Sequence, residues 1–251
     1  MTKLYLNKDN CKDDCYDDSK DNQQMKYIDI CINEMRTGDL ILFSGAHSLI
    51  SSAVKWWTNS NYSHIGMVLV NPKIGVYDIN HTMKELKGVY LVESGCENIL
   101  DATDNTYKYG VQVVPLEQVI KNYEGTIYWR KLNILNSHHT EETLTTAFTN
   151  IYSFIKNKKY DLDVIDLFCS RLNITYPKPI YKSAILNWIS NDTQKSDKFV
   201  CSALVAYIYT QFELLPSITE WTECIPKYFS DENPDLTLNN NVFLETQLKL
   251  K

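Results

Sequence analysis

Short apolar runs of strand length, separated by polar turns, dominate the first half of the chain. Runs of this length, bounded by Gly, Pro, Asn, Asp or Ser, are typical of buried β-strands. They occur at residues 39–44, 65–70, 89–92, 111–114 and 126–130. Because short connections join neighbours in antiparallel sheets, the spacing predicts a mostly antiparallel sheet or half-barrel.

Helical periodicity replaces this pattern in the second half. Apolar residues recur at three- and four-residue spacing over 140–156 and again from Cys201 to Leu215, which places them on one face of a helix. Shorter stretches predict helices at 47–57, 115–120, 162–172 and 184–189. The sequence therefore predicts an α+β fold in which helices pack against the sheet.

The polarity of the two ends suggests how the chain is divided. Residues 1–33 are polar and acidic, and the stretch from 230 to 251 is polar around Asn239-Asn240-Asn241. We expect residues 1–33 to form a solvated tail or an appended peripheral segment, and 230–251 to form a weakly ordered C-terminal extension. Between them, 34–229 is predicted to form one domain with a helical insert at about 135–195.

Charge and hydropathy narrow the class of partner. The formal net charge is −6 and no basic block is present, which argues against nucleic acid or an anionic membrane as the main partner. The first residues lack an apolar signal segment, and no apolar run approaches the roughly 20 residues that span a bilayer. We expect a cytoplasmic protein without a transmembrane segment; the sequence leaves its oligomeric state open.

The seven cysteines do not form a recognisable framework. Their number is odd and their spacing irregular, so a set of disulfides is not expected. Cys11 and Cys15 have no second pair or nearby histidine that would complete a zinc site. No metal and no cofactor is therefore predicted.

Two residues occupy positions that suit thiol chemistry. His64 stands where a polar loop enters the apolar run 65–70, so the strand can fix its ring while the ring faces a cleft. Cys201 follows the turn residues Ser196-Asp197-Lys198 and begins the later helix. A thiol in the first turn of a helix is stabilised as thiolate by the helix dipole. Each residue alone is more typical of ordinary packing.

A carboxylate completes the set. A thiol nucleophile needs a base, and the base needs a third group that orients its ring. Glu93 directly follows the apolar run 89–92, and Glu97 is its rival. Tyr62 and Trp57 are candidate substrate contacts, although Trp57 also suits core packing.

These residues lie in a pattern that resembles a known family. The segments that carry it are Gly38-Asp39-Leu40-Ile41-Leu42-Phe43, then Thr58-Asn59-Ser60-Asn61-Tyr62-Ser63-His64-Ile65-Gly66-Met67-Val68, Val92-Glu93, residues 111–116, and Phe199-Val200-Cys201-Ser202. The chain resembles the circularly permuted papain-like thiol hydrolases of the NlpC superfamily, in particular the YaeF/YiiX group, which has poxviral members. In this group the histidine precedes the cysteine helix, as here. The resemblance implies a papain-like fold with Cys201 as nucleophile, His64 as base and Glu93 as the orienting residue.

Several functions are compatible with this pattern. The first is a cysteine-dependent amidase or peptidase that acts through an acyl-enzyme on a peptide or amide. A lipid-directed thiol acyltransferase or deacylase, acting on an acyl lipid, is the second. The third is a catalytically inert binding module on the same fold.

Overall fold

An eight-stranded sheet forms the centre of the protein. The computed structural model describes residues 18–45, 55, 59–77, 83–95, 99–135, 138–160 and 198–251. The strands in the described part of the chain, which belong to this sheet and to two smaller two-stranded sheets, are β1 Leu40–Gly45, β2 His64–Val70, β3 Lys73–Tyr77, β4 Met83–Glu85, β5 Val89–Gly95, β6 Gly110–Pro115, β7 Gly125–Arg130, β8 Leu132–Ile134, β9 Lys159–Tyr160, β10 Lys198–Phe199, β11 Val242–Leu244 and β12 Leu248–Lys249. The α-helices in the same part are α1 Asp18–Glu34, α2 Leu116–Asn122, α3 Glu141–Ile155 and α4 Cys201–Gln211; short 3-10 helices lie at Trp221–Glu223 and Pro226–Phe229.

The large sheet has the order β10-β9-β6-β5-β2-β1-β7-β12. Every pairing in it is antiparallel except that of β9 with β10. The predicted α+β class is confirmed, as are the five strands predicted in the first half. Strand β5 runs on to Gly95, so that Glu93 lies inside the strand and not after it.

Helices cover both faces of this sheet. Alternate residues of a strand point to opposite faces, and in β2 Ile65 packs in the cluster that includes α3 and α4, whereas Val68 packs in the cluster that includes α1 and α2. Both clusters are buried, and this burial on two sides explains why the strands read as continuous apolar runs. None of the helices in the described part of the chain is long and apolar enough to cross a bilayer.

The helices begin where local sequence allows. Thr140 caps α3 by accepting a hydrogen bond from the Thr143 backbone N–H, and the Thr143 hydroxyl accepts one from the Thr140 N–H. Such reciprocal capping satisfies N–H groups that the first turn leaves unpaired. Helix α2 follows Pro115. Of the helices predicted at 47–57, 162–172 and 184–189, only Lys55 is among the described residues.

Both ends of the described chain pack against the sheet, as an appended peripheral segment would at the N-terminus and unlike the weakly ordered extension expected at the C-terminus. Ile28 and Cys31 of α1 are buried against the sheet, so residues 18–34 pack as a helix; residues 1–17 lie outside the described part. At the other end β12 pairs with β7, β11 pairs with β8, and Leu250 is fully buried. The C-terminal stretch thus completes the sheet. The division into domains itself stays a prediction.

A buried turn fixes the start of β1. Asp39 is fully buried and accepts hydrogen bonds from the Leu132 N–H at 2.9 Å and the Trp129 indole at 2.8 Å. Burial raises the pKa of Asp39 to about 6 against the opposing effect of these donors. Next to it, Gly38 has a φ of +101°, and its carbonyl accepts a hydrogen bond from the Tyr209 hydroxyl at 2.5 Å. This contact ties α4 to the strand that neighbours His64.

Candidate active site

Three elements that are distant in sequence meet at one end of the sheet. His64 is the first residue of β2, Glu93 lies near the end of β5, and Cys201 is the first residue of α4. Strands β2 and β5 are direct neighbours, and α4 packs against both. The structure therefore brings together the three residues that the sequence selected for thiol chemistry.

The imidazole of His64 is held by a buried carboxylate. Its Nε2 lies 2.6 Å from Oε2 of Glu93, a side chain with no exposed surface. A carboxylate at this distance places a proton on Nε2. The other ring nitrogen, Nδ1, is not engaged by Glu93, and the Cys201 thiol lies close enough to the His64 ring for each group to shift the pKa of the other.

The electrostatics of the pair favour a thiolate beside an imidazolium. Burial raises the pKa of the Cys201 thiol, but the His64 charge and the N–H groups of Ile65 and Ser202 outweigh it and leave the pKa lowered. Burial lowers the pKa of His64, but the negative charges of Cys201 and Glu93 raise it well above its usual value. Each group thus stabilises the charged form of the other.

Hydrogen bonds fix the beginning of α4 beside β5. Val200, which precedes the helix, provides no side-chain cap. Instead, the Ser94 hydroxyl donates to the Phe199 carbonyl at 2.6 Å, and the Ser202 hydroxyl donates to the Cys224 carbonyl at 2.6 Å. These bonds hold the chain on each side of Cys201.

The ring of His64 is packed on one side and more open on another. Phe43, its cross-strand partner, lies 5.3 Å away between ring centroids. On the strand side Gly95 has no side chain; an added Cβ there would lie 3.4 Å from Cε1 of His64. The His64 side chain keeps 16% of its surface exposed, while Cys201 keeps 4%. The imidazole is therefore more accessible than the sulfur.

The predicted substrate contacts and the rival carboxylate are not part of this cluster of side chains in the described structure. Tyr62 is 3% exposed, packs against Tyr128 and accepts a hydrogen bond from the Gln247 side chain, and burial raises its pKa to about 12. These contacts are those of a core residue. Trp57 and the rival carboxylate Glu97 lie outside the described residues.

Sequence reasoning missed two residues of the site. Gln112 of β6 is the direct cross-strand partner of Glu93, and its Nε2 donates to Oε1 of Glu93 at 2.8 Å. The signal was present in the sequence, because Gln112 is the one polar residue in the apolar run 111–114. Ser94 was also missed, and in its case the sequence offered no signal beyond its place next to Glu93.

The described residues contain no cluster of side chains that could bind a metal ion. Within the described ranges no group of three or more His, Cys, Asp or Glu residues could hold a metal ion. Cys31, Cys201 and Cys224 are free thiols; the other four cysteines lie outside those ranges.

Comparisons with known proteins give a distant likeness among solved structures. No family model matches the chain, and no curated protein matches it. Among solved structures, it is similar to the metalloprotein YiiX from Escherichia coli O157:H7, with 19% sequence identity and a TM-score of 0.39. The match covers 70% of this chain and 64% of the YiiX chain, which is less than two thirds of YiiX. Since one architecture can serve several chemistries, function has to come from the side chains.

Proposed function

We propose that this protein is a cysteine-dependent hydrolase that cleaves amide or peptide bonds through an acyl-enzyme. One observation carries the proposal: a single imidazole, that of His64, lies between a buried carboxylate and a thiol at the start of a helix. The nucleophile helix comes after the histidine strand in the chain. This order supports assignment to the permuted papain-like type.

The first half of the reaction forms a thioester. The Cys201 thiolate attacks the carbonyl carbon, and the carbonyl π electrons move to the oxygen. The N–H of Cys201, which has no partner within the helix, would donate to that oxyanion. When the C–N bond breaks, the imidazolium of His64 gives a proton to the leaving nitrogen, and the amine departs.

The second half returns the enzyme to its initial state. Neutral His64 takes a proton from water, whose oxygen attacks the thioester carbonyl. The C–S bond breaks, the acid is released, and the thiolate–imidazolium pair is restored. Throughout, Glu93 accepts the Nε2–H of His64, so that the ring keeps its orientation in both charge states.

Selective alkylation tests the proposal without a known substrate. An ordinary thiol with a pKa of about 8.5 is only about 0.3% ionised at pH ~6. Because the pKa of Cys201 is lowered, we expect iodoacetamide to label Cys201 at this pH, with the rate falling only as pH drops through that lowered pKa. Peptide mass spectrometry after timed labelling measures the rate.

Cys224 provides the internal control. It is 6% exposed and Cys201 is 4% exposed, so access to the two sulfurs is similar. Burial raises the pKa of Cys224 to about 12, which keeps it as an unreactive thiol. If Cys201 reacts no faster than Cys224 at pH ~6, the hydrolase proposal is wrong.

Acyl probes then separate the candidate reactions. Intact mass should show a transient acyl adduct on the wild-type protein with an activated peptide ester, and none on Cys201→Ser. An adduct that forms only with acyl lipids would replace the amidase by the acyltransferase or deacylase. A reactive thiol that no probe acylates would favour the inert binding module.

A further inference from the structure

Behind Glu93 lies a second buried polar side chain whose arrangement has a cost. Gln112 is 1% exposed, and its Oε1 has no hydrogen-bond partner among the residues that the structure describes. A buried polar atom without a partner destabilises a fold. An apolar residue at position 112, between Val111 and Val113, would not carry this unpaired polar atom.

The hydrogen bond that the side-chain amide of Gln112 donates to Glu93 explains why a polar residue occupies this position. Oε2 of Glu93 faces the His64 ring, and Oε1 faces Nε2 of Gln112 at 2.8 Å. Both oxygens of the carboxylate are thus engaged by N–H donors, and these two contacts fix its orientation. Rotation of the Gln112 amide would set two oxygens against each other, so the observed orientation suits the carboxylate anion.

We propose that Gln112 is a positioning residue of the catalytic site, which holds Glu93 as an oriented anion and acts through it on His64 and Cys201. The site is then a chain of four side chains. A neutral donor faces an anion, the anion faces a cation, and the cation faces the thiolate. This inference rests on the proposed function and extends it by one residue.

The replacement Gln112→Met tests this chain, because it keeps the length of the side chain and removes the donor. Without this donor the Glu93 carboxylate is free to turn away from His64, so it supports the imidazolium less well, and the imidazolium in turn supports the thiolate less well. We expect the rate of Cys201 alkylation at pH ~6 to fall about tenfold, since the acid limb of its pH profile moves upward. The His64 ring, followed by NMR, should titrate at lower pH than in the wild type.

A second variant gives a signature that packing alone would not produce. In Gln112→Glu, a protonated carboxyl can donate to Glu93, whereas two ionised carboxylates would repel each other. At low pH, where Glu93 and the new carboxyl share a proton, the rate of Cys201 alkylation should approach that of the wild type. As the pH rises and this proton is lost, the two rates should diverge. This variant also decides the question if Gln112→Met does not fold.

Thr103→Val is the matched control. The Thr103 hydroxyl is buried in a polar cluster near β6, where it contacts Asp101 and Tyr152 and not Glu93. Its loss should lower stability without moving the alkylation profile. A folded Gln112→Met with the wild-type profile would overturn the positioning role while the hydrolase stands. A wild-type Cys201 that is unreactive at pH ~6 would overturn both.

Discussion

At the scale of single residues, one buried carboxylate connects the two polar side chains on either side of it. Glu93 has no exposed surface, and its two oxygens contact His64 and Gln112. A buried carboxylate is stable only where donors or charges surround it. The same contacts that make Glu93 tolerable in the core therefore also orient the imidazole.

Replacement of Glu93 by Gln keeps its shape and removes its charge. We expect acylation of Cys201 by an activated ester to fall roughly 10²- to 10⁴-fold, because the imidazolium loses its counter-charge and the ring its fixed tautomer. The rate of adduct formation, followed by intact mass, measures the effect. Glu97→Gln is the paired control and should behave like wild type; the reverse result would make Glu97 the orienting residue.

At the scale of elements, the position of Cys201 depends on how α4 begins. The bond from the Ser94 hydroxyl to the Phe199 carbonyl joins β5 to the residues just before the helix. It spans 105 positions of the sequence, and α4 itself supplies no side-chain cap. The position of the Cys201 thiol is thus set by the sheet as much as by the helix.

Ser94→Ala should loosen this junction. We expect a loss of about 1 kcal/mol in the free energy of unfolding and a several-fold slower alkylation of Cys201 at pH ~6. Ser230→Ala removes a comparable buried hydroxyl, which donates to the Lys227 carbonyl and accepts from the Glu232 N–H instead of bonding to the residues before α4. It should cost similar stability and leave the rate unchanged; equal rates in both variants would contradict the anchoring role of Ser94.

At the scale of the whole molecule, the C-terminal stretch closes the sheet on the side of β7. Strand β12 forms the edge, and Leu250 packs in the same cluster as Phe43 and Trp129. Lys251 contributes as well, since its Nζ donates to the Ile120 and Tyr123 carbonyls around the end of α2. Residues from both ends of the described chain therefore stabilise one face.

Substitution of two leucines in this stretch would measure how much the C-terminal packing contributes to stability. Leu250 is fully buried, whereas Leu248 is 48% exposed. Leu250→Ala should lower the free energy of unfolding by about 2–5 kcal/mol, and Leu248→Ala should change it by no more than about 0.5 kcal/mol. Urea denaturation of both variants provides the comparison. Equal effects would mean that the C-terminal stretch does not pack as described.

Periodicity in the sequence was sufficient for the elements that bury a regular face. The strands that carry His64 and Glu93 and the helix that begins at Cys201 were all predictable, because a strand or helix buried in a core leaves an apolar pattern of its own length. The catalytic roles of these residues remain predictions. The polar composition of 1–33 and 230–251 concealed α1, β11 and β12, since short edge strands and a half-exposed helix need few apolar residues.

Local pattern could not decide which side chains touch. The 2.6 Å contact of His64 with Glu93, the thiol of Cys201 at the same ring, and Gln112 behind the carboxylate all depend on strand register and on where a distant helix docks. The sequence by itself determined which residues could do thiol chemistry and on which kind of element each would lie. Only the tertiary structure decided that they share one site, because pairing and packing energies act between segments that are far apart in the chain.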